Sequence, residues 1–311
     1  MSYRARAESR KFVLLSDLRV SDEPLVGIVT ALPVEYASMK HLISGCKSSA
    51  IPGDPSRYVR GFIPQPTTMG FAEDTSKRRR LSVVLTRLKR MGTNSAAAAA
   101  TNLLRSFPSV RVVIMTGIAC AVPNPTRRDR NVKLGDIVVS DRKGVVQFDN
   151  FALTDGEVTP RDVTPPPSAA LVDALNELES AQLNGQEPWN GYIAHIINRA
   201  RAFAQPQSRR SSSKRTAAKR PHVFRGLIGS SNILLKDKAF RDALRDRYGL
   251  LAIEMEGSGI AEATWGFDKY YFLVRGMCDF GDNKKKDRWQ GYAAAAAASY
   301  TRALLDVLLV T

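Results

Sequence analysis

The sequence predicts a single α/β domain built on a largely parallel sheet. Short apolar runs rich in Val and Ile recur along the chain, as in strands buried on both faces. Windows of helical character fall between them, so strand and helix alternate. The chain has 311 residues, 44% hydrophobic and 24% charged. That is ample for one large core and excludes a wholly disordered chain.

The elements follow in order. Residues 1–24 read as a basic tail with one short apolar patch, too short for the core of a signal peptide. Strands are expected at LVGIVTAL (25–32), SVVLTRL (82–88), VRVVIMTGI (110–118), DIVVSD (136–141), LLAIEME (250–256) and YYFLVRG (270–276). Helices are expected over 33–45, 94–106, 168–180, 237–247, 257–265 and 291–309. The alanines at 96–100 and 293–298 fit helices whose small side chains let them approach the sheet closely.

Lys and Arg number 46 against 30 Asp and Glu, a net charge of +16. A surplus of this size favours anionic partners. Residues 199–225 carry nine Lys or Arg and no acid, so a basic, mobile insertion is expected around 199–222. Nucleic-acid contact through 199–225 would be nonspecific, because no aromatics interleave the charges to stack on bases. The three cysteines, Cys46, Cys120 and Cys278, show neither a disulfide framework nor a zinc pattern. With no apolar stretch of about 18 residues to cross a membrane, a reducing, cytoplasmic setting is expected.

In an open parallel sheet, ligands bind beyond the carboxyl ends of the strands. Glu35, Glu256 and Asp279 follow three of the apolar runs, so three acids converge on one edge. Gathered carboxylates raise one another's pKa by repulsion and burial, which poises them for acid–base work near neutral pH. Acids at the first turn of helices serve equally well as caps, so the pattern alone leaves both roles open.

Four ordered segments carry a resemblance to a known family: VGIVTALPVEYASM (26–39), IMTGIACAVP with VKLGDIVVSD (114–141), AIEMEGSGIA (252–261) and LVRGMCDFGD (273–282). With VFRGLIGSSN (223–232) they resemble the nucleoside phosphorylase superfamily over roughly 25–305, specifically its hydrolytic branch of methylthioadenosine/S-adenosylhomocysteine nucleosidases. GVVQFDN (144–150), SSNILLKD (230–237) and the 275–305 segment are similar to nucleosidase domains of fungal NLR-like proteins and bacterial anti-phage effectors. Some members of that group hydrolyse adenine nucleotides, including ATP.

The resemblance implies a three-layer αβα sandwich around a mixed, largely parallel twisted sheet, spanning 25–311. It implies hydrolysis of the N-glycosidic bond of a purine nucleotide or nucleoside, possible roles in defence, homo-oligomers, and neither cofactor nor metal. Glu35 would activate the attacking water, Glu256 would bind the ribose hydroxyls over Met255, and Asp279 would protonate N7. Asn232, Leu234 and Leu235 would border the base, and Thr116 and Gly117 the ribose or its 5′ group. Cys278 stands where many nucleosidases carry serine and falls among the substrate-binding residues; without a partnered histidine it reads as a packed thiol. Arg90, with Lys89, would hold phosphate, either inorganic or the nucleotide's own. The alternatives are a phosphate-dependent purine nucleoside phosphorylase and a non-catalytic nucleotide sensor. His41, His195 and His222 lie outside these motifs and receive no role.

Overall fold

The computed structural model describes residues 23–65, 80–155, 157–160, 167–206, 220–282 and 287–308. A nine-stranded mixed sheet runs through the molecule, in the order β10-β9-β6-β11-β5-β1-β4-β3-β2. Its strands are β1 (Val26–Thr30), β2 (Ser44–Ser49), β3 (Tyr58–Pro64), β4 (Arg80–Arg87), β5 (Val112–Ala121), β6 (Ile137–Gln147), β9 (Val223–Ser230), β10 (Ala252–Glu254) and β11 (Tyr270–Asp279). A separate hairpin joins β7 (Phe151–Thr154) to β8 (Glu157–Pro160). The helices are α1 (Pro33–Lys40), α2 (Thr93–Ser106), α3 (Ala169–Leu183), α4 (Pro188–Arg199), α5 (Lys238–Tyr248), α6 (Gly257–Gly266) and α7 (Gln290–Val307).

The expected α/β architecture is present, with helices on both faces. Strands β4, β1, β5 and β11 run parallel side by side, as their continuous apolar sequences require. β10 is short because Glu254 and Glu256 interrupt its apolar run. It pairs parallel with β9 and antiparallel with the end of β5, so that half of the sheet curls closed through β10. The antiparallel pairing sets β10 beside Cys120 and Ala121 at the end of β5.

Helices α1, α3, α4 and α7 cover one face and α2 with α6 the other. The alanine run 293–298 of α7 is wholly buried. A Cβ at Gly276 would fall on the carbonyl of Ala293, so helix and strand meet backbone to backbone. That is the close approach the alanines predict.

Other expectations shift. Helix α1 ends at Lys40, not at 45, because the following residues turn into β2. The polar strand β2 (SGCKSS) and the helix α4 have no counterpart among the expected elements. The notional tail 1–24 and the centre of the basic stretch lie largely outside the described residues. Of the flanks of that stretch, Arg199 closes α4 and Phe203 is buried against α7. No helix among the described residues is long and apolar enough to cross a membrane.

Candidate active site

A cleft of about 220 Å³ opens at the carboxyl ends of β1, β5, β10 and β11. Glu35, Met255, Glu256, Cys278, Asp279, Leu234 and Leu235 all line it, so the structure gathers the three expected acids around one cavity.

Glu35 sits in the first turn of α1 and is only 2% exposed. Its Oε2 accepts from the amides of Ala31 (2.7 Å) and Leu32 (2.8 Å), and its Oε1 from Ile118 (2.8 Å). Burial nevertheless raises its pKa, and the charge of Arg275 and the three amides only partly offset that. A Cβ at Gly117 would lie 2.6 Å from Arg275 Nη1 and 2.7 Å from Glu35 Oε1. The bare backbone of Gly117 is what lets these two groups meet.

Arg275 is fully buried in β11. Its Nη2 bonds Glu254 and lies 3.6 Å from Glu256 Oε2. Among the described residues, its Nε and Nη1 have no hydrogen-bond partner. Glu254 in turn accepts from the amides of Glu256 (3.0 Å) and Gly257 (2.9 Å), which ties the acid-bearing turn to the start of α6. Glu256 Oε1 accepts from Gly92 N at 3.1 Å. Burial first, then repulsion from Glu254 and Glu35, pushes Glu256 up to about 7, against the pull of Arg275 and the Gly92 amide. The cluster therefore holds three carboxylates against one guanidinium, all four side chains buried.

Asp279 ends β11 after a bulge at Met277/Asp279, which turns both Cys278 and Asp279 to the cleft. Its Oδ1 accepts from Gly281 N (2.8 Å) and its Oδ2 from the Cys278 thiol (3.2 Å). Cys278 thus acts as a donor to the acid. Met91, Ile118, Cys120 and Ile233 complete the apolar walls.

Four expected residues do not line the cleft: Thr116, Gly117, Asn232 and Arg90. Thr116 is turned away: strand side chains alternate, Gly117 faces the acids, and Thr116 Oγ1 meets Thr301 Oγ1 of α7 at 2.8 Å. Asn232 is exposed; its Oδ1 accepts from Thr93 N at the start of α2 and its backbone amide donates to Asp149. Arg90 is exposed on the loop beside Met91, without a place in the wall. Conversely, Arg275 and Glu254 were passed over in sequence. An arginine inside an apolar strand run, YYFLVRG, is the signal that marks the first, because a buried guanidinium needs buried acids. Among the described residues, no three His, Cys, Asp or Glu side chains are grouped as a metal ion would need.

Comparison with known proteins matches residues 26–308 to the phosphorylase superfamily. The chain belongs to that superfamily. Among its relatives, an NLR-like protein of Hyaloscypha variabilis is 28% identical over 92% of this chain and 30% of its own length. The ATP nucleosidase Cap17 of Escherichia coli is 28% identical over 89% of the chain and 50% of its own length. The chain thus spans half or less of the length of these two relatives. The solved 5′-methylthioadenosine/S-adenosylhomocysteine nucleosidase of Neisseria meningitidis, in complex with methylthio-immucillin-A, superposes with a TM-score of 0.60 at 19% identity. That overlap covers 90% of this chain and 98% of the nucleosidase and concerns the fold.

Proposed function

We propose that the chain hydrolyses the N-glycosidic bond of an adenine nucleotide or nucleoside and releases free adenine. The observation that carries this reading is the carboxylate-rich cleft around Glu35. A phosphate anion brought to attack the sugar would meet Glu35, Glu254 and Glu256, with Arg275 already bound to Glu254. Neutral water meets no such repulsion. The relationship to an ATP nucleosidase supports adenine as the base and a nucleotide as the substrate.

Each group then has a task. The base lies among Ile233, Leu234, Leu235 and Cys120, with N7 toward Asp279. The ribose lies over Met255, its hydroxyls donating to Glu256. A water sits between Glu35 and the unpartnered Nη1 of Arg275. As the C1′–N9 bond breaks, its electron pair leaves with the base and Asp279 gives a proton to N7. The water oxygen bonds to C1′ and its proton passes to Glu35. Positive charge on the sugar is stabilised by the buried carboxylates, whose dipoles and charges are fixed before the reaction begins. The 5′ phosphates point outward past Met91 toward Lys89 and Arg90, where solvent and cations receive them.

The test is incubation with ATP, AMP, adenosine and methylthioadenosine, following free adenine by chromatography. Adenine released without added phosphate is the expected result. No adenine from any of the four, with or without phosphate, overturns the reading in favour of a nucleotide-binding module.

A further inference from the structure

The catalytic turn after β11 is held from outside the cleft. Arg241, in the second turn of α5, is 3% exposed although it lines none of the active-site wall. Its Nη1 donates to the carbonyl of Phe280 at 2.6 Å. Its Nε and Nη2 both donate to Asp242 Oδ1, at 3.0 and 2.7 Å, which locks the guanidinium plane. Arg245 adds a third donor to the same oxygen at 3.2 Å and also donates to the carbonyl of Pro123, beyond the end of β5. The two arginines therefore fasten α5 to the loops that follow β5 and β11.

Phe280 immediately follows Asp279, and Gly281 N is the amide that orients Asp279 Oδ1. Gly281 adopts φ +59°, and a Cβ there would lie 2.6 Å from Cys120 Sγ. The turn is thus shaped by its backbone and leaves no room for another residue. Phe280 packs only partly buried against the core. A cavity of about 380 Å³, lined by Val132, Lys238, Arg241 and Phe280, opens beside it. A hydrogen bond to a charged donor is among the stronger ones available in a protein. Across that space, the Arg241 guanidinium is such a donor.

We infer that Arg241 is a positioning residue for catalysis: by gripping the Phe280 carbonyl it keeps the Gly281 amide, and through it the Asp279 carboxyl, aimed at the departing base. This rests on the reading of Asp279 as the acid. Misplacement of a reacting group by about 1 Å costs on the order of 10²-fold in rate. An aim that matters only as the bond breaks shows in kcat and not in KM.

The experiment is a double-mutant cycle of Arg241→Gln and Asp279→Asn, measured by single-turnover release of adenine with enzyme in excess. The substrate is whichever of the four-compound panel reacts fastest. Arg241→Gln alone is expected to lower the rate of release about 10- to 100-fold, with KM moved less than about threefold in matching steady-state runs. In the Asp279→Asn background the same change is expected to cost less than about twofold, because there is no longer an acid to aim. Arg241→Lys, which keeps a charged donor, is expected to regain most of the loss; if Arg241→Gln does not fold, the cycle is run with Arg241→Met, which fills the space and removes the donor to the Phe280 carbonyl. Equal losses in both backgrounds, or no loss in the parent, overturn the inference and leave Asp279 as the acid. Full activity of Asp279→Asn removes the acid itself, and is a separate result read from the single mutant.

Discussion

At the scale of residues, the chemistry depends on burying acids that would otherwise stay ionised and hydrated. Glu35 receives three backbone amides, an arrangement that favours the anion, yet its burial pushes the pKa the other way. A base must be ionised to accept a proton, so the rate of adenine release is expected to rise with pH through the raised pKa of Glu35. Glu35→Gln removes that rise and lowers the rate about 10²- to 10⁴-fold; a pH–rate profile of both proteins checks it. Glu256 makes a second prediction, in stability. Its folded pKa of about 7 lies above the ordinary 4.5. The folded state therefore holds the extra proton, and the contribution of Glu256 to stability falls as pH climbs from about 4.5 to about 7. Glu256→Gln carries no such proton. Its advantage over wild type is expected to grow across that window by about 3 kcal/mol. Urea unfolding at pH 5 and pH 8 measures it, and an advantage that shrinks with pH contradicts the assignment.

At the scale of elements, the strands decide which side chains reach the cleft. Thr116 and Gly117 are neighbours in β5, but only Gly117 faces Glu35 and Arg275. Thr116→Val is accordingly expected to leave kcat/KM within about twofold while costing roughly 1–3 kcal/mol of stability, because Thr301 loses its partner. Adenine release and chemical denaturation of the one variant separate the two effects. Part of the site is legible in the sequence. The acids and Met255 stand at strand ends and follow apolar runs, so their place was readable from order along the chain. That Thr116 meets Thr301 is not legible, because a run of apolar residues buried on both faces carries no alternation to say which side each residue takes. The bond by which Asn232 caps α2 from 139 positions away leaves no local trace in the sequence. The strand β2 was missed for a related reason: an edge strand of Ser, Gly, Cys and Lys has little β propensity and is held by β3. Arg241 is visible only once α5 is placed against the turn it grips.

At the scale of the whole molecule, an acidic cleft is set in a strongly basic chain. The net charge is +16, while the cavity walls carry Glu35, Glu254, Glu256 and Asp279. The inner acids suit a developing sugar cation and the outer cations suit phosphates, so the two halves of a nucleotide meet opposite fields. Outer charges act through solvent and are screened over about 8–10 Å at 0.1–0.15 M salt. For ATP, kcat/KM is expected to fall several-fold between 20 and 300 mM salt, and for adenosine to stay nearly level. Equal salt dependence for both would show that the exposed cations, Lys89 and Arg90 among them, do not receive phosphates.

The most direct test of water as the nucleophile is phosphorus NMR of the sugar product formed in phosphate buffer. With ATP or AMP consumed and adenine released, the sugar is expected to carry its original 5′ phosphates and a free hydroxyl at C1. A new phosphate ester at C1, growing in step with adenine, would contradict the account and make inorganic phosphate the attacking group.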